Sequence, residues 1–184
     1  MKKIFVLILV AVNSFLIAQN SPPIPRSSSS TISNGLKINS RKGTLIEKQI
    51  FNYGKFKNLN IQKIISKDLS DNTAEKVLGI MTEYETFDII SKKTLTIEKL
   101  ELSKLIQSLQ TLQQKENEKT EIETKYKFQT LSNIEFGGVY NEENKKWINY
   151  IKFPTTNFNQ NLNEFSKEEL KDLITLLKKV KGEL

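Results

Sequence analysis

Five apolar residues, Leu102, Leu105, Ile106, Leu109 and Leu112, reappear 68 residues later as Leu170, Leu173, Ile174, Leu177 and Val180. Spacings of three and four residues place each set on one face of an α-helix, so each helix has an apolar stripe that must find a covering surface. A chain that repeats this demand at one offset is steered toward two like units sharing a core. The second helix carries its own start signal in Phe165-Ser166-Lys167-Glu168-Glu169-Leu170. There Ser166 and Glu169 form a capping box, and Phe165 and Leu170 form a hydrophobic staple. Gly182 is expected to stop this helix, and the polar run Gln113 to Lys119 to end the first.

What precedes each helix also corresponds. Before the second, Tyr126-Lys127-Phe128-Gln129-Thr130 and Ile134-Glu135-Phe136 alternate, and Asn141-Glu142-Glu143-Asn144 turns into the run Lys146 to Phe153. Before the first, Ile61 to Leu69 reaches the turn Ser70-Asp71-Asn72-Thr73, followed by Val77 to Met81, Phe87 to Ile90 and Leu95 to Ile97. A short antiparallel meander leaves one apolar face open and a single helix covers only part of it, so two such units complete one core together. The expected fold class is α+β: two pseudo-repeated meanders of three or four strands, each closed by a C-terminal helix, over about 45–114 and 120–184 of one domain spanning 43–184. Gly137-Gly138 within a strand marks a bulge or a close backbone approach.

The start of the chain constrains the compartment. Lys2 and Lys3 precede an apolar run from Ile4 to Ile17, broken by Asn13 and Ser14 and followed by Ala18-Gln19. This is the pattern of a secretory signal over residues 1–19, cut near Ala18 or Gln19, and it is shorter than the ~20 apolar residues of a membrane span. The expected location is periplasmic or secreted. Three of the four prolines and Ser27 to Ser30 then fall within a segment with little to bury, so residues 20–42 are expected to be a disordered tether.

Cysteine and histidine are absent. The fold therefore holds by burial without disulfides, and Cys/His zinc sites, Ser-His-Asp and Cys-His nucleophile systems and His or Cys haem ligation are excluded. The remaining catalytic candidates, Glu142-Glu143 in a turn and Glu168-Glu169 at a helix start, are explained by solubility and the helix dipole. No catalytic, cofactor or metal residue is assigned; a hydrolase using a carboxylate pair assembled across the fold stays as an alternative.

The net charge of +7 falls to +5 once Lys2 and Lys3 leave, and the excess is lopsided: residues 20–70 hold nine bases against Glu47 and Asp68. Such a segment suits an anionic surface, although scattered lysines are also the usual solvated exterior. Trp147 and Tyr150 fall on opposite faces of their strand. With Lys146, Lys152, Tyr126 and Phe128 they form the candidate interaction surface.

The signal ending in Ala-Gln, the Asn/Lys/Ile-rich composition and the run of Phe136-Gly137-Gly138, Lys146-Trp147 and Phe165 to Leu177 resemble small exported proteins of Bacteroidetes bacteria. That resemblance transfers no activity and no binding residue. The paired meander-plus-helix units are similar in outline to the PUR and whirly class of single-stranded nucleic-acid binders, an analogy of topology alone. The expected function is that of an exported, non-catalytic binding or structural module with a protein or glycan partner in the cell envelope. The alternative is a single-stranded nucleic-acid binder that stacks bases on Trp147, Tyr150, Phe128 and Tyr126 and clamps the backbone with the N-terminal lysines. Export argues against that alternative.

Overall fold

Among the described residues, eight strands and two α-helices follow one another as four strands, helix, four strands, helix. They belong to a computed structural model that describes residues 38–86, 89–118, 120–154 and 162–184. The signal segment and residues 20–37 of the expected tether lie outside the described residues, as does Phe87. The first sheet runs in the order β1 (Ile46–Phe56), β2 (Leu59–Asp68), β3 (Ala74–Thr86) and β4 (Ile89–Glu98), all antiparallel. Helix α1 (Lys99–Lys115) follows it. The second sheet repeats the order with β5 (Thr124–Gln129), β6 (Glu135–Asn141), β7 (Lys146–Lys152) and β8 (Leu162–Phe165), closed by α2 (Lys167–Glu183).

This is the expected α+β architecture with four strands in each meander. Ile89–Ile90 and Leu95–Ile97, expected in separate segments, are parts of one long strand, β4, because every residue from Ile89 to Glu98 finds a partner on β3. The turn at Ser70–Thr73 falls between strands as its composition demands, the one expected at Asn141–Asn144 begins on the last residue of β6, and Asn72 takes a left-handed φ of 59°, which Asn tolerates better than most residues.

The helices bind the two halves into one core. Each is 17 residues long, and each buries the five residues of the repeated stripe. They pack on each other, and each reaches across: α1 touches β5 and β6 as well as β3 and β4, while α2 touches β1 and β2 as well as β7. A single apolar cluster therefore includes Ile61, Ile80 and Ile97 of the first sheet, Phe136, Ile151 and Phe165 of the second, and both stripes. Phe56 at the end of β1 meets Phe165 at the end of β8 edge to face, with ring centroids 5.1 Å apart. The register makes Ile61, Ile80 and Ile97 the counterparts of Phe136, Ile151 and Phe165. By the same register Asn149 stands where the first sheet has Leu78, which puts a polar group into the second half of the core.

The capping box of α2 forms as expected: Ser166 accepts from the Glu169 backbone N–H, and the Glu169 carboxylate accepts from the Ser166 backbone N–H at 2.7 Å. Gly182 does not stop this helix, which continues to Glu183. A glycine ends a helix by taking a left-handed φ, and only Gly43 among the described glycines has a positive one. Contacts also form ahead of β1. Ile38–Ser40 forms a 3-10 turn against β2 with Ile38 buried, and Arg41 is clasped by Asp68 at 2.9 Å and Asp71 at 2.7 Å. The outer face of the first sheet, away from the helices, is correspondingly dry at Ile64 and Val77.

Candidate functional site

Neither helix lies on the outer face of the second sheet, and it carries a cluster of charged and polar groups. Alternation along the strands and the pairing register decide which residues share it. Read across β5, β6, β7 and β8, one row is Lys127, Gly137, Tyr150 and Glu164, and its neighbours are Lys125, Val139 and Ile148 on one side and Gln129, Glu135, Lys152 and Leu162 on the other. Asn141 and Lys146 complete the face.

Gly137 sets the geometry at the centre. A Cβ there would meet the Tyr126 backbone carbonyl and would stand 2.7 Å from the Tyr150 hydroxyl oxygen. Its absence lets the Tyr150 ring lie across β6, and Tyr150 is only 7% exposed although it faces away from the helices. Three groups converge on Glu135 over this gap. The Tyr150 hydroxyl donates to Glu135 Oε1 at 2.6 Å, Lys125 Nζ lies 3.5 Å from Oε1, and Lys127 Nζ lies 3.6 Å from Oε2. Lys125 also sits 5.4 Å from the Tyr150 ring centroid, within cation–π range. Burial pushes the Glu135 carboxyl upward, but the Tyr150 hydrogen bond and the two lysines outweigh it and hold the pKa below the ordinary value. Burial and the same hydrogen bond push the Tyr150 phenol well above its ordinary value, so it stays a neutral donor. The expected bulge at Gly137-Gly138 is not formed, since β5, β6 and β7 pair without a register shift. The close approach is what occurs, and on the inner side Gly138 admits Leu112 of α1, whose Cδ1 lies 2.9 Å from where a Cβ would stand.

Beside this cluster runs a groove of about 410 Å³, floored by Val139, Ile148 and Tyr150 and edged by Lys125, Lys152, Leu162 and Glu164. Glu135 and Lys152 also line a second depression of about 340 Å³ toward Phe153 and Pro154, so the trough over Val139, Ile148 and Tyr150 shares these two residues with it. Leu162 is 48% exposed, a large apolar group on an otherwise polar rim.

The sequence-predicted surface is divided by the sheet. Tyr150, Lys146 and Lys152 lie on the outer face, while Tyr126, Phe128 and Trp147 lie on the inner face toward the helices. Trp147 is half-buried, stacked on Tyr126 with centroids 5.7 Å apart and tilted against Tyr140 at 5.6 Å. Tyr126 and Phe128 line a separate cleft of about 210 Å³ against Ser108 and Thr111 of α1. The four aromatics therefore do not build one exposed stacking platform. Residues that sequence reasoning passed over are Lys125, Lys127, Glu135, Ile148, Leu162 and Glu164. Alternation about Gly137 was the signal for the residues of β5 to β7; nothing local marked Leu162 and Glu164, which arrive through pairing with β7.

Among the described residues, no group of three or more carboxylates is placed to hold a metal ion, and no helix is long and apolar enough to cross a membrane. Comparisons with protein-family models, with curated proteins and with solved structures returned no significant match, so the reading of this site rests on its own geometry.

Proposed function

We propose that this protein is an exported, non-catalytic binding module of the cell envelope, and that it takes its partner on the outer face of the second sheet. The observation that carries this reading is the trough over Val139, Ile148 and Tyr150, rimmed by lysines and Leu162, on a sheet face that neither helix covers. Sites for partners combine an apolar floor with a few placed polar groups, and here Glu135, Lys125, Lys127 and Tyr150 brace one another into a fixed wall. Rigid walls reduce the ordering cost of association. The location rests on the basic start, the short apolar run and Ala18.

The test is site-specific photo-crosslinking in producing cells. A benzophenone side chain at Leu162 is expected to give a discrete adduct in the envelope fraction, identified by mass spectrometry. The same probe at Leu100, which is highly exposed on α1, is expected to give none. Equal labelling from both positions, or none from Leu162, would remove the face from consideration.

A further inference from the structure

The charges on the outer face are not equally committed. Lys125 and Lys127 are held by Glu135, whereas Lys146 and Lys152 are exposed and make no ion pair among the described residues. Four lysines face Glu135 and Glu164 alone, which leaves the face net positive and its uncommitted cations at the two ends of β7. The six residue steps from Lys146 to Lys152 span about 20 Å at ~3.3 Å per residue, and Ile148 and Tyr150 lie between them on the same face. This alternation of cation, apolar group and cation has the period of an extended polypeptide.

The aromatic group decides against a sugar. A sugar ring presents its C–H face to an open aromatic plane, but Tyr150 has little exposed surface and its hydroxyl is engaged by Glu135. The aliphatic groups Leu162, Ile148 and Val139 suit leucine- or valine-like side chains instead.

Resting on the reading of this face as the binding surface, we infer that its partner is an extended acidic segment of another protein, whose carboxylates meet Lys146 and Lys152 while its apolar side chains enter the trough beside Leu162. Charge complementarity of this kind steers association and is weakened by salt.

A fluorescein-labelled decapeptide alternating aspartate and leucine is the probe, read by fluorescence anisotropy with the purified protein. Binding is expected at low salt, weakened severalfold by about 300 mM salt. The double variant Lys146→Glu/Lys152→Glu is expected to lose at least tenfold in affinity, and Leu162→Asp to lose a comparable amount. Lys48→Glu/Lys55→Glu on the first sheet is expected to bind like the parent. All three are exposed changes, and an unchanged thermal melt shows that the fold is intact. Equal binding of a lysine–leucine decapeptide, or indifference to the Lys146/Lys152 reversal, would overturn the acidic-segment assignment. Oligogalacturonate binding that is lost in the same variant, with the acidic peptide inert, would overturn the peptide class while leaving the face in place. Failure of every probe alongside a discrete Leu162 adduct would likewise overturn the ligand class without touching the surface reading.

Discussion

In the core of the second unit the side-chain amide of Asn149 donates to Glu116 Oε1 at 2.6 Å, while Asn149 Oδ1 and Glu116 Oε2 are both buried without a partner. Two unpaired acceptors on joined groups make the ionised form of Glu116 costly. Burial raises its pKa above the ordinary carboxylate value, against the lowering influence of the Asn149 hydrogen bond and of Lys167, and Glu168 adds to the rise. A carboxyl raised in the fold contributes its stability below its unfolded pKa of ~4.3 and loses it as pH climbs through the folded value. Glu116→Gln keeps the acceptor and supplies a donor that does not titrate. The parent is therefore expected to lose stability relative to Glu116→Gln between about pH 4 and the raised folded pKa, measured as urea midpoints at a series of pH values. A constant difference across that range would show that Glu116 does not titrate in the fold.

The opposite sign holds at the N-terminal clasp. Asp68 accepts from the Ser70 hydroxyl at 2.6 Å and the Ser70 backbone N–H at 2.9 Å, and Arg41 lies 2.9 Å away. The Ser70 contacts lead in depressing its pKa to about 2, with Arg41 adding to them. Its stabilising contribution is present above the ordinary carboxylate value of ~3.9 and fades as pH falls toward the folded value. Ser70→Ala is expected to raise the Asp68 titration midpoint, followed by its carboxylate carbon chemical shift, and to move acid unfolding to higher pH. An unmoved midpoint would assign the depression to Arg41 instead.

Leu102 and Leu170 hold equivalent places in α1 and α2, and each is fully buried at 0% exposure. Because both helices touch both sheets, neither site belongs to one half alone. Truncating either to alanine is expected to cost about 2–5 kcal/mol, with both sheets lost in a single transition. Two separate transitions by hydrogen exchange in the Leu102→Ala variant would contradict the shared core.

Glycine tolerance should split sharply. Gly137→Ala drives a methyl into the Tyr126 carbonyl and the Tyr150 hydroxyl, so a loss of about 1–3 kcal/mol is expected, together with disruption of the Tyr150–Glu135 hydrogen bond. Gly182→Ala has nothing within 4 Å and lies inside α2, so a gain of up to ~1 kcal/mol is expected from the lower entropy of the unfolded chain. Thermal melts of the two variants moving in the same direction would refute this reading of the backbone.

The sequence alone determined the units: the two five-residue stripes, the capping box at Ser166 and Glu169, the turns and the meander before each helix. These are local, set by spacing, side-chain hydrogen bonding and φ preference within a few residues. Only the tertiary structure decided that each helix crosses to the other sheet, that Arg41 clasps the β2–β3 turn, and that Tyr126, Phe128 and Trp147 turn toward the helices while Tyr150 lies on the open face beside Leu162 and Glu164. Those outcomes depend on pairing register and on which sheet face the helices cover, and both are fixed by contacts between residues far apart in the chain.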